Sequence, residues 1–175
     1  MYRALEQALL RIFGTPELMM SSVSWHRDIN SGYRKTVSGS EASSRDERLG
    51  HDGLWQSRLH QGMTPELHDV LIIRYSDDYP KRLMAWQRMQ SRFRSDERLP
   101  KPIRSNPVLL RLWLMVELQH PQLRSRKGRF DITGKSERTV YRWKQACNRV
   151  CSEWITQAED EAQALLEQAG SIRYE

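Results

Sequence analysis

The sequence predicts an all-α fold: a helix-turn-helix domain with a long C-terminal helix, preceded by a flexible N-terminal arm. Three observations lead there. Apolar residues recur three and four apart from Val140 to Ala169. Helix-start signals stand at Thr64-Pro65-Glu66 and Asn106-Pro107. Between residues 21 and 44 there are eight serines, and glycines follow at 32, 39, 50 and 53, too little apolar surface to offset the entropy of ordering. The expected organisation is an N-terminal helix over 1–20, an arm or loop over 21–60, a helical domain over 61–170 with the helix-turn-helix at about 107–155, and a tail over 171–175.

In chain order, Tyr2 to Phe13 places Leu5, Leu9, Ile12 and Phe13 on one side of a helix, and Gly14 ends it. Thr15-Pro16-Glu17-Leu18 starts one further turn. Ser21 to Gly53 is the arm, with Trp25 and Tyr33 as docking exceptions; ordering on a partner is the alternative. Thr64 as cap and Pro65 at the first helical position open a helix with Leu67, Val70, Leu71, Ile73 and Tyr75 inward.

Ser76-Asp77-Asp78 turns the chain into a helix from Tyr79 to Phe93. Its core side is Tyr79, Leu83, Trp86, Met89 and Phe93; its outer side is Lys81, Arg88 and Arg92, a candidate protein-partner surface or a solvated face. Ser95 to Ser105 is a charged linker broken by Pro100 and Pro102. Asn106 then caps a helix in which nine of the eleven residues Val108 to Leu118 are apolar. That is short of the roughly 20 residues a membrane crossing needs, so no membrane association is expected. A helix this apolar is buried centrally or shared with a second subunit in a homo-oligomer. His120-Pro121 ends it, and Arg124, Arg126, Lys127 and Arg129 follow as phosphate-contact candidates.

From Ile132 to Trp154 the pattern is most specific. Gly134 frees a turn and Ser136 stands at an N-cap position. Val140, Trp143, Cys147, Val150 or Cys151, and Trp154 form one apolar stripe; Arg138, Tyr141, Arg142, Gln145, Asn148 and Arg149 occupy the other face. Arg pairs with guanine O6 and N7, and Asn or Gln with adenine N6 and N7, so this face carries side chains able to contact major-groove edges. A solvated face is the alternative for any basic helix; turn, cap and amide-plus-Arg mixture together favour the groove. Lys135, Ser136, Thr139, Lys144 and Arg149 are the flanking phosphate-contact candidates.

Charge points the same way. The chain is +6 at pH 7 with a pI near 9.6, favouring an anionic partner, double-stranded DNA first. Residues 120–149 hold nine Lys/Arg against two Asp/Glu, and residues 152–175 hold one Arg against six acids. The two cysteines, 147 and 151, lack further ligands at finger-like spacing, so the expectation is free thiols in a core, no metal, no cofactor and a reducing cytoplasm. The N-terminus has no signal-peptide pattern. An enzyme is not expected. The contrary reading is a metal-dependent nuclease using Asp69, Asp77 and Asp78 with His68 as base, but Asp77 and Asp78 suit a turn and Asp69 the start of a helix.

Ser136-Glu137-Arg138-Thr139-Val140-Tyr141-Arg142 resembles the start of a recognition helix in sigma-factor-type helix-turn-helix domains. With Leu67-His68-Asp69-Val70-Leu71-Ile72-Ile73-Arg74-Tyr75 the resemblance extends to the antitermination protein Q group of lambdoid phages, in its small branch without zinc. It covers about residues 64–93 and 130–155; residues 94–130 have no counterpart, and the zinc-binding cysteines of another branch are absent. The resemblance implies a late-gene antiterminator in the bacterial host cytoplasm that binds DNA, loads onto RNA polymerase carrying its primary sigma factor and lets it pass terminators. It also implies that Glu137, Arg138, Tyr141, Arg142 and Gln145 face the DNA bases. A repressor or packaging-recognition protein using the same helix is the second expectation.

Overall fold

The computed structural model describes residues 5–14, 45–123 and 135–168, and these residues form helices with no strand among them. The seven helices are α1 (Leu5–Phe13), α2 (Arg45–Gly62), α3 (Pro65–Tyr75), α4 (Tyr79–Ser95), α5 (Lys101–Arg104), α6 (Pro107–Leu118) and α7 (Glu137–Gln168), with a 3-10 turn at Pro121–Leu123. No described helix is long and apolar enough to cross a membrane.

α3 lies in the middle, packed against α4, α7, α1 and α6, and buries Val70, Leu71, Ile73 and Tyr75. The expected inward residues of the first helix do pack inward: Leu9, Ile12 and Phe13 are buried and Leu5 rests on the core. Gly14 closes α1 by donating to the Leu10 carbonyl at 3.0 Å, and a Cβ there would come within 2.4 Å of that oxygen. On α4, Trp86, Met89 and Phe93 are buried as their spacing demands; Trp86 stacks on Phe93 with centroids 5.6 Å apart, and Phe93 meets Trp154 of α7 edge-on at 5.8 Å.

Four expectations change. Residues 45–60, placed in the arm, belong to α2. Three anchors, Trp55, Leu59 and Met63, recur four apart and are buried, and Arg11 of α1 pairs with Asp52 at 2.9 Å. One apolar residue per turn suffices when each is large and fully covered. The arm over 21–44, with Trp25 and Tyr33, lies outside the described residues, as do Thr15 to Leu18. The linker after α4 contains a turn of helix, α5, fixed by buried Leu99 and Ile103. Tyr79, expected inward, is 53% exposed, with the Arg82 guanidinium 5.7 Å from its ring centre.

The fourth change concerns α6. Asn106 caps it as expected, Oδ1 accepting from the amides of Val108 at 3.0 Å and Leu109 at 3.1 Å. Yet α6 is not enclosed on all sides. Leu110, Trp113, Leu114 and Leu118 are buried, whereas Val108 is 57% and Leu112 42% exposed. Uniform hydrophobicity hides which side faces the bundle, because periodicity vanishes when nearly every position is apolar.

α7 runs unbroken for 32 residues, about 48 Å at 1.5 Å per residue. Its buried row is Cys147, Val150, Cys151, Ile155, Ala158, Ala162 and Leu166, with Val140, Trp143, Trp154 and Leu165 half-buried beside it. Its far end carries small buried residues, Ala158 and Ala162, suited to close packing. In the structure that end meets the junction of α2 and α3, where a Cβ on Gly62 would stand 3.0 Å from Leu165 Cδ1.

Candidate nucleic-acid interface

The first half of α7 is presented by clamps on its second half. Glu159 accepts from Arg74 Nε at 2.8 Å and from the Tyr75 hydroxyl at 2.6 Å. Burial, with Glu159 accepting its proton, pushes the Tyr75 phenol well above its ordinary range. Glu161 accepts from both the amide and the hydroxyl of Thr64, at 3.1 and 3.2 Å. Thr64, expected to cap α3 with its own oxygen, makes no such bond, and its polar groups are satisfied from α7 instead. Arg98 bridges Glu153 and Asp96, so that the Asp96 carboxyl is held below its usual range by the guanidinium beside it.

A second tie runs through His120. Its backbone amide donates to the Arg74 carbonyl at 2.9 Å, its ring stacks on Tyr75 at 5.4 Å, and Nδ1 accepts from the Gln122 amide at 3.3 Å. With Nδ1 accepting, Nε2 carries the proton of the neutral ring and donates to Glu6 of α1.

Ahead of the clamps, Ser136 starts α7 as its position predicts: Oγ accepts from the Thr139 amide at 3.4 Å and lies 2.9 Å from Thr139 Oγ1. Arg138, Arg142, Gln145 and Arg149 follow at i, i+4, i+7 and i+11, with Tyr141 beside them, all exposed and opposite the buried row. Glu137, Lys144 and Asn148 are exposed on the flank, as is Lys135 just before the helix; Tyr141 is 62% exposed. None of Lys135, Arg138, Arg142, Lys144 or Arg149 pairs with a carboxylate among the described residues. Three acids of the far half of the helix, Glu153, Glu159 and Glu161, are thus engaged by other elements, while the near end keeps its cations free for an anion.

Other candidate residues fare differently. Arg124, Arg126, Lys127, Arg129 and Gly134 lie outside the described residues. Between α6 and α7 stand residues 119–136, well beyond the three or four residues of a compact helix-turn-helix turn. The Lys81, Arg88 and Arg92 surface is internally matched: Lys81 to Asp78 at 3.7 Å, Arg88 to Asp69 through two bonds of 2.8 and 2.5 Å, and Arg92 to Glu66 at 2.8 Å. A stripe whose cations each hold a carboxylate presents little net field to a partner.

The nuclease set is dispersed in the same way. Asp69 is buried against Arg88, and Asp78 caps α4 by accepting from the Lys81 amide at 3.2 Å. His68 is buried between the rings of Phe13 and His60, at 5.7 and 4.9 Å, with Nε2 unpartnered. Burial, and then His60, lowers its pKa. No group of three or more His, Cys, Asp or Glu able to hold a metal stands together among the described residues. Cys147 and Cys151 are buried free thiols, and burial with the nearby Glu117 charge pushes Cys147 up to about 12.

The residues missed in the sequence are the clamps, Glu153, Glu159 and Glu161, and the His120 tie. Their partners on other elements lie 45 to 114 positions away along the chain, beyond any local pattern. Comparison with protein-family models, with curated proteins and with solved structures returns no match to this chain.

Proposed function

We propose that the chain binds double-stranded DNA through the outward face of α7, and that it acts there as a transcription antiterminator working with bacterial RNA polymerase. The carrying observation is the row Arg138, Arg142, Gln145 and Arg149 with Tyr141: exposed, paired with no carboxylate among the described residues, and on a helix whose Glu153, Glu159 and Glu161 are held by other elements. In this reading Arg138, Tyr141, Arg142 and Gln145, with Glu137, meet base edges, and Lys135, Ser136, Thr139, Lys144 and Arg149 meet phosphates. Arg124, Arg126, Lys127 and Arg129 add phosphate contacts ahead of α7, and α7 serves as the recognition helix of the helix-turn-helix read over about 107–155.

The antitermination half rests on the resemblance of residues 64–93 and 130–155 to the protein Q group. Its test is transcription by bacterial RNA polymerase with the primary sigma factor, on a promoter followed by a terminator. Added protein is expected to raise readthrough and to co-purify with the polymerase. Duplex binding without polymerase retention or readthrough would replace this reading with the repressor or packaging-recognition alternative.

A further inference from the structure

The chain between α4 and α6 is a fixed ledge. Leu99 and Ile103 are almost wholly buried, and the Leu99 amide donates to the Asp96 carbonyl at 3.2 Å. Arg98 ties this ledge to Glu153 of α7. Glu153 is one helical turn beyond Arg149, so the two side chains are neighbours on the helix surface. Phe93 packs on Trp154, the neighbour of Glu153 in the chain, and Arg94 follows Phe93 in the last turn of α4. Arg94 and Lys101 are exposed and pair with no carboxylate among the described residues. The acids of the ledge and its latch are Asp96 and Glu153, both held by Arg98, and exposed Glu97.

Along the axis of α7 the fifteen residues from Arg138 to Glu153 span about 22 Å, whereas a major groove is about 12 Å wide. With the first turns of α7 in the groove, cations at the level of Glu153 stand past the base edges, at the height of the sugar-phosphate ridge.

We infer that Arg94 and Lys101, on the ledge latched to α7 by Arg98 and Glu153, contact the backbone phosphates at the rim of the groove that α7 enters. This rests on the DNA-binding reading above and adds a second, sequence-independent contact region, in a segment whose composition alone suggests only a linker. A contact of this kind lengthens the footprint and contributes to salt dependence without contributing to base preference.

The test uses the full chain and a random-sequence duplex, with affinity measured across a salt series. The double variant Arg94→Gln, Lys101→Gln is expected to bind more weakly and to flatten the slope of log affinity against log salt by about 1.8, or about 0.9 per phosphate lost. Arg58→Gln, whose guanidinium stacks 5.0 Å from the Trp55 ring on α2, is expected to leave the slope unchanged. Both altered side chains are exposed, and equal melting temperatures of variant and parent establish that the fold is intact. A parent slope retained by the double variant, alongside weakened binding by Arg149→Ala, overturns the ledge contact and leaves the DNA-binding reading standing. A parent chain with no affinity for duplex at low salt overturns both.

Discussion

Arg74 and Glu159 pair at 2.8 Å across the α3–α7 contact, with side chains only 16% and 26% exposed, and Tyr75 donates to the same carboxylate oxygen. Removing one member of such a set strands the others. Glu159→Ala is expected to lose roughly 2 to 3 kcal/mol of stability, between a surface pair and a buried one. Urea unfolding of Glu159→Ala, Arg74→Ala and the double variant measures this. The double-variant loss should be clearly smaller than the sum of the singles, since the stranded-charge penalty then disappears.

Arg142 and Arg149 occupy one row at different depths along α7, and their roles are expected to separate. Arg142→Ala should relax base preference by about 1 to 3 kcal/mol at one position of a selected duplex. Arg149→Ala should weaken selected and random duplexes alike and lower the salt slope by about 0.9. Selection from a random duplex library followed by competition titration distinguishes them; equal losses on both duplexes for Arg142→Ala would remove its assignment to base edges.

His68 gives the fold an acid sensitivity. Its folded-state pKa lies below the ordinary 6.5, because burial and the neighbouring His60 disfavour the cation. The unfolded chain therefore binds the proton more readily, and stability is full above about pH 7.5 and declines as pH falls through 6.5, by at most about 1.4 kcal/mol per pH unit for one proton. Chemical denaturation at pH 7.5, 6.5 and 5.5 should show this decline. His68→Phe should flatten it in that window, above the range in which Glu66 and Asp96, whose carboxyls are lowered, begin to protonate.

Cys147 is expected to be chemically silent. A thiol fully buried on α7 and pushed up to about 12 has almost no thiolate at neutral pH. A disulfide-exchange reagent should react with native protein only at the rate of opening and with both thiols in denaturant. Rapid native reaction at Cys147 would contradict the packing of α7 against the bundle.

Where a feature repeats within one helix, the chain already displays it. The outward position of Arg138, Arg142 and Arg149 and the inward position of Cys147, Val150 and Cys151 follow from the helical period, and the Asn106 and Ser136 caps from local chemistry. Where the answer depends on a distant partner, it is hidden. Arg88 and Arg92 resemble a free stripe until Asp69 and Glu66 of α3 are found against them, and Thr64 resembles a cap until Glu161 supplies the acceptor. α2 escapes notice because its apolar content is low on average, though its buried anchors Trp55 and Leu59 are continued by Met63 just past its end. α6 misleads for the opposite reason: a nearly uniform apolar run does not reveal that Val108 and Leu112 face outward.

The continuity of α7 has a mechanical consequence. Glu159 and Arg138 stand 21 residues apart on one rod, about 32 Å, and by that length a tilt of 5° at the carboxylate end swings the guanidinium end by about 3 Å. That displacement equals a whole hydrogen-bond length. Substitutions around Arg74 and Tyr75, far from Arg138 along the chain, are therefore expected to displace the cationic tip as well as to lower stability.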